Sequence, residues 1–103
     1  MSEVRYEQQG AIVQITIDRS AQLNAINEGV RKRLYEAFER FEADESACAA
    51  ILTGSGGNAF CAGMDLMEAA QNALGVPPRW FLPIIGDSLT VTKPTIAAVN
   101  GVA

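Results

Sequence analysis

Ala50-Ile51-Leu52-Thr53-Gly54-Ser55-Gly56-Gly57-Asn58-Ala59-Phe60-Cys61-Ala62-Gly63-Met64-Asp65-Leu66 is the stretch that decides the reading of this chain. Ala49 to Thr53 is a short apolar run, which reads as a buried strand. The three glycines between Gly54 and Asn58 then require a loop, because they give the backbone a freedom that no regular element needs. Met64 to Ala73 follows as a helical candidate, ended by Gly75 and by Pro77-Pro78, which cannot continue a helix. The stretch is therefore strand, flexible loop and helix start. A helix start leaves about four N–H groups without internal partners, and these carry the positive end of the helix dipole. If Met64 opens the helix, its N–H points outward beside Gly63, which has no side chain to block a ligand, and beside the small Ala62. Such a group can donate to a developing negative oxygen. A plain turn into a helix uses the same residues, and both readings stand on spacing alone.

Upstream, Val4 to Gln8 alternates weakly, Gly10 interrupts, and Ala11 to Ile17 alternates clearly. Val13, Ile15 and Ile17 share one face. A period of two with β-branched residues predicts strands, and the intervening glycine predicts a hairpin. Asp18 to Asn27 is polar and irregular. Asn27 can cap a helix by accepting from a first-turn N–H. Over Glu28 to Ala43, Val30, Leu34, Phe38 and Phe41 recur at three- and four-residue steps, predicting an amphipathic helix. Downstream, Trp80, Phe81, Ile84, Ile85 and Leu89 suggest a further amphipathic helix within Arg79 to Thr92, with Pro83 in its first turn. Lys93-Pro94 breaks it. Thr95 to Val99 reads as a buried strand and Asn100-Gly101 as a turn. The order β-β-α-β-α-α-β predicts an α/β domain with a largely parallel sheet covered by helices.

Composition narrows the function. The chain has 103 residues, 49% hydrophobic and 19% charged, an ordinary globular balance. Eight basic against twelve acidic residues give a net charge of -4 without a large basic cluster, so no nucleic-acid partner is expected. A polyanionic small ligand remains compatible, because backbone N–H groups hold phosphates without net positive charge. There is no His, which removes Ser-His-Asp and Cys-His catalysis within this chain and the commonest metal ligand, so no metal is expected. The two cysteines, Cys48 and Cys61, are too far apart for a CxxC pair and fit a reducing, cytoplasmic location. The opening MSEVRYEQQG lacks an apolar signal core, and no apolar run reaches the roughly 20 residues of a membrane span.

Several residues have a plainer reading beside the chemical one. Gly54 to Ala59 fits GxGxxG/A, but no acidic residue follows about 20 positions on at a second strand end. Cys61 precedes a helix start, where thiols are activated, yet no His base accompanies it; a small buried residue is the simpler role. Cys48 reads as a packing residue. Asp65 and Glu68 complement a helix dipole. Lys93 covers the rim before a strand, and Trp80 and Phe81 read as core.

The segment Ala59-Phe60-Cys61-Ala62-Gly63-Met64-Asp65-Leu66 resembles the AFxAGxDL signature of the enoyl-CoA hydratase/isomerase (crotonase) family. Three other stretches agree in order: Ile15 to Asp18-Arg19 followed by Leu23-Asn24-Ala25-Ile26-Asn27, Ala50 to Gly54, and Lys93-Pro94-Thr95-Ile96-Ala97-Ala98-Val99-Asn100-Gly101. The resemblance implies a crotonase-like ββα superhelix of which residues 1–103 form an incomplete N-terminal portion, ending before the family's GGG segment. It implies two backbone N–H groups that hold a thioester carbonyl and stabilise an enolate, one of them falling on Met64. Acyl-CoA is then the small-molecule partner and substrate, with no separate cofactor, in fatty-acid-type metabolism. CoA contacts carry over to Gln22, Leu23, Ala25, Ala62, Gly63, Asp65 and Leu66. Neutral Gln22 stands where the family often has Lys or Arg, and Ser20 where Pro is frequent. The second donor and the two catalytic carboxylates belong to segments beyond Ala103, so this chain alone is expected to be inactive. The complete family forms trimers or hexamers. The alternatives are a non-catalytic binding or assembly piece and a dinucleotide-binding domain.

Overall fold

A computed structural model of the chain describes residues 3–63, 83–86 and 88–103. The elements are β1 (Val4–Gln9), β2 (Ile12–Ile17), a short 3₁₀ turn (Ser20–Gln22), α1 (Glu28–Ala43), β3 (Ala49–Gly54) and β4 (Thr95–Ala97). They form one four-stranded sheet in the order β1-β2-β3-β4. β1 and β2 are antiparallel, with Tyr6 opposite Ile15. Their hairpin turns at Gly10, whose φ of +62° favours a residue without a Cβ. β2 and β3 are parallel, with Ile15 beside Leu52, and β3 and β4 are parallel, with Leu52 beside Ala97. The expected hairpin, capped helix and third strand are all present.

The core lies between one sheet face and α1. Val13, Ile15 and Ile17 are buried from β2, joined by Val4 and Ala50. They meet Val30, Leu34, Ala37, Phe38 and Phe41, the apolar stripe of α1. Asn27 caps α1 as expected: its Oδ1 accepts from the Val30 N–H at 2.9 Å. At the other end Lys93 is more than a rim residue. Its ammonium donates to the Phe41 and Asp44 carbonyls at 2.9 and 2.6 Å and lies 5.0 Å from the Phe41 ring centroid. A cation there satisfies free carbonyls and opposes the negative helix end.

Three sequence expectations are corrected. Pro83–Gly86 and Ser88–Thr92 are not helical; Ile85 and Leu89 form an isolated bridge. Gly86 has φ +88°, outside the helical range, and only Leu89 of this group is buried. Cys48 is exposed, because its neighbours Ala47 and Ala50 take the inward positions. Thr95 to Val99 is not a buried strand: β4 stops at Ala97, and Ile96 and Val99 are 58% and 57% exposed. An apolar pattern marks a surface suited to burial, and no described residue covers this one. The helix expected at Met64 to Ala73 lies outside the described residues, as do Trp80 and Phe81. Among the described residues no helix is long and apolar enough to cross a membrane.

The link between α1 and the last strand is sensitive to acid. The Glu42 carboxylate accepts from the Thr92 N–H at 2.9 Å and hydroxyl at 2.7 Å. These bonds hold its pKa below the usual 4.5. The Ser46 hydroxyl and N–H hold the Asp44 pKa below its usual 3.8. A depressed folded pKa gives stability that is complete above the unfolded value and lost as pH falls through the folded one. Thermal melting followed from about pH 6 to about pH 3 should therefore show a steepening loss below about pH 4.5. Thr92→Val, which keeps the N–H and loses the hydroxyl, should show a shallower loss; identical profiles would refute the assignment to Glu42.

Candidate functional site

The loop leaving β3 is gripped by two asparagine amides from distant parts of the chain. Asn24 is fully buried. Its Nδ2 donates to the Ser55 and Ala59 carbonyls at 3.0 and 2.9 Å. Its Oδ1 accepts from the Arg19 N–H at 2.9 Å and from the Ser55 hydroxyl at 3.4 Å. Asn100 grips the same loop elsewhere: its Nδ2 donates to the Gly54 and Gly56 carbonyls at 2.8 and 3.0 Å. Four carbonyls of a glycine-rich loop, which would otherwise leave many conformations open, are thus tied to two side chains.

The segment after Asn100 completes the support. Phe60 donates its N–H to the Val102 carbonyl at 2.8 Å, and Val102 donates to the Asn58 carbonyl at 3.3 Å. Gly101 allows this approach, since a Cβ there would lie 2.8 Å from the Asn58 carbonyl carbon and oxygen. All four stretches that carry the family resemblance therefore converge on one loop.

The described candidates for CoA contact, Gln22, Leu23, Ala25, Ala62 and Gly63, lie beside it. Ala62 donates its N–H to the Leu23 carbonyl at 3.0 Å, and Ile26 donates to the Gly63 carbonyl at 2.6 Å. These two bonds stitch Leu23–Ile26 to Ala62–Gly63. Gln22, Leu23 and Ala62 are exposed, and Ala25 and Gly63 are half-buried. Gly63 has φ +96°, and among the described residues a Cβ at its α-carbon would meet nothing within 4 Å. The Cβ side of Gly63 is thus clear of described atoms, while its carbonyl and N–H are taken up by Ile26 and Cys61. Leu23 and Asn24 have φ of +53° and +57°. Two successive non-glycine residues in the left-handed region are uncommon, and such conformations cluster at ligand sites. They persist here because Leu23 and Asn24 donate their N–H groups to the Ser20 and Arg19 carbonyls.

Met64, Asp65 and Leu66, with Glu68, lie outside the described residues. Cys61 packs against the core, and its Sγ accepts from the Gly63 N–H at 3.4 Å, a supporting role for this thiol. Gly54 is no dinucleotide-type glycine. It is buried, and a Cβ there would collide with the Phe60 carbonyl and lie 2.7 Å from Asn24 Nδ2. Residue-by-residue reading missed Asn24, Asn100 and Arg19 as parts of the site. The Arg19 guanidinium is committed: Nε pairs with Glu3 at 2.8 Å, and Nη1 donates to the Ala25 carbonyl at 2.6 Å. Among the described residues, no group of three His, Cys, Asp or Glu side chains could hold a metal ion.

Among the described residues, a mixed sheet covered by α1, with this stitched loop, has the architecture of the N-terminal part of a crotonase fold. The sequence profile of the enoyl-CoA hydratase/isomerase family matches residues 7–103, and the chain belongs to that family. It is 32% identical to the 1,2-epoxyphenylacetyl-CoA isomerase of Escherichia coli, over 89% of this chain and 37% of that protein. It is 41% identical to the carnitinyl-CoA dehydratase of Salmonella arizonae, over 100% of this chain and 40% of that protein. The crystal structure of an enoyl-CoA hydratase from Mycobacterium tuberculosis superposes with a TM-score of 0.80 at 39% identity, covering 98% of this chain and 39% of that one. The chain thus spans about two fifths of the length of these relatives.

Proposed function

We propose that residues 1–103 supply the CoA-thioester cradle of an enoyl-CoA hydratase/isomerase-type enzyme and one of the two N–H donors to its acyl oxygen. The donor is the backbone of Met64, and the cradle is formed by Gln22, Leu23, Ala25, Ala62, Gly63, Asp65 and Leu66. The observation that supports this most directly is the stitching of Leu23–Ile26 to Ala62–Gly63, at a glycine with no side chain to block a ligand. A thioester gives up an α-proton, and its α,β-unsaturated form accepts a nucleophile at the β-carbon, readily only if the carbonyl oxygen can take up negative charge. A backbone N–H aimed at that oxygen strengthens its bond as the charge develops, which is the differential binding that accelerates a reaction.

In residues 1–103 this reading provides one donor and no pair of carboxylates for water and proton transfer. Loss of one such donor typically lowers turnover by about 10²–10³, and absence of the acid–base pair lowers it further. The 103-residue polypeptide is expected to bind acyl-CoA without hydrating crotonyl-CoA measurably. Calorimetric titration with butyryl-CoA and with S-butyl-CoA, a thioether without the carbonyl, tests the binding. One net hydrogen bond of about 1 kcal/mol predicts butyryl-CoA bound roughly five- to tenfold more tightly. Equal affinities would remove the carbonyl donor from the proposal, and failure of both ligands to bind would remove the cradle.

A further inference from the structure

We propose that Asn24 and Asn100 are positioning residues for the thioester carbonyl, acting through the loop that they clamp. The inference rests on the acyl-CoA reading above and deepens it. The loop Gly54–Ala59 contributes none of the proposed ligand contacts, yet it receives four side-chain hydrogen bonds from these two residues. Asn24 also occupies the turn that carries Leu23 and Ala25, so one buried amide joins that turn to the loop that leads to Ala62 and Gly63. Its acceptor oxygen fixes the turn through the Arg19 N–H, and its donor nitrogen fixes the loop through the Ser55 and Ala59 carbonyls. Only an amide serves both sides: it presents two N–H donors and an acceptor on one planar group. Ala59, the last residue so held, lies four positions before Gly63. Asn100 holds the start of the same loop at Gly54 and Gly56. The clamps therefore bracket the loop that delivers Ala62 and Gly63 to the cradle. A hydrogen bond to a carbonyl depends on distances of tenths of an ångström, and small misplacement is expensive in catalytic constellations.

Asn24→Asp and Asn100→Asp separate the two ends of each amide. A carboxylate is close to isosteric and retains the acceptor, but loses the donors and sets negative charge against two carbonyl oxygens. The test is the ratio of affinities for butyryl-CoA and S-butyl-CoA, measured by calorimetry on the full chain below its melting transition. The expected result is a wild-type ratio of roughly five to ten. It should collapse towards one in either variant, with S-butyl-CoA affinity within about threefold of wild type. A purely structural role would lower the melting temperature, or weaken both ligands in parallel, and leave the ratio intact; that outcome overturns the proposal. A wild-type ratio of one defeats the acyl-oxygen reading itself and this inference with it. If Asn24→Asp does not melt cooperatively, Asn100→Asp, at an exposed position, decides the question by the same ratio.

Discussion

Gly54→Ala is expected to lower stability by about 2–3 kcal/mol, at the upper end of what overpacking usually costs, and to weaken butyryl-CoA binding at least as much as Asn24→Asp does, about tenfold. The new methyl would lie 2.7 Å from Asn24 Nδ2 and 3.0 Å from the Ala59 carbonyl oxygen, and closer still to the Phe60 carbonyl. Two of these neighbours are main chain, and the third is an amide held by hydrogen bonds on both sides. None is the free end of a flexible side chain, so strain cannot be relieved by a rotamer change. The loop must move away from β3, and the grip of Asn24 loosens with it. In a domain near 100 residues such a loss lowers Tm by roughly 8–20 °C. Gly57→Ala is the control on the same loop: a Cβ there meets nothing within 4 Å, so its effect should stay within about 0.5 kcal/mol. Urea denaturation of the pair, with calorimetric titration of each, measures both effects. Equal stability of the two variants would show that the packing around Gly54 yields more easily than its surroundings imply.

The parts of the fold legible in the sequence are those set by local periodicity. Val13, Ile15 and Ile17 alternate and are buried together; Val30, Leu34, Phe38 and Phe41 recur at helical spacing and face them. Asn27 could be recognised as a cap because its partner, Val30, is three residues away. The clamps could not be recognised that way. Asn24 reaches carbonyls 31 and 35 residues distant, and Asn100 reaches back 46 and 44 residues. Beside Ala25 or before Gly101, an asparagine reads only as a turn former. Cys48 failed for a related reason. A small apolar side chain is commonly buried, but Ala47 and Ala50 take the inward positions on either side of Cys48. In the Pro83–Thr92 region, Ile84, Ile85 and Leu89 have helical spacing, yet the left-handed backbone at Gly86 turns the chain first. The four motif stretches and their order were legible because they are a property of the whole sequence; the side chains that tie them to one loop were not.

Phe41→Ala should be the most destabilising substitution in the core and should leave the cradle able to bind. Phe41 is fully buried and is the largest fully buried side chain among the described residues. It packs within the cluster that includes Ile15, Val30 and Leu34. Truncating a buried phenylalanine costs about 3–5 kcal/mol from lost burial and the cavity left behind. The cation of Lys93 also loses the ring beneath it, although its bond to the Phe41 carbonyl needs no side chain. Against a typical total of about 5–15 kcal/mol, most of the folding free energy could be lost. The two large effects then differ in how ligand repairs them. A ligand that binds only the folded state restores RT ln(1 + [L]/Kd), about 2.7 kcal/mol at a concentration of 100 Kd. Phe41 makes none of the clamp contacts, so saturating butyryl-CoA should raise the Tm of Phe41→Ala about as much as it raises that of wild type. The same ligand concentration should raise the Tm of Gly54→Ala clearly less, because its loop is displaced even while its core is whole. Thermal melts of both variants with and without butyryl-CoA make the comparison, and equal rescue of the two would break the proposed connection between the clamped loop and the acyl-CoA site.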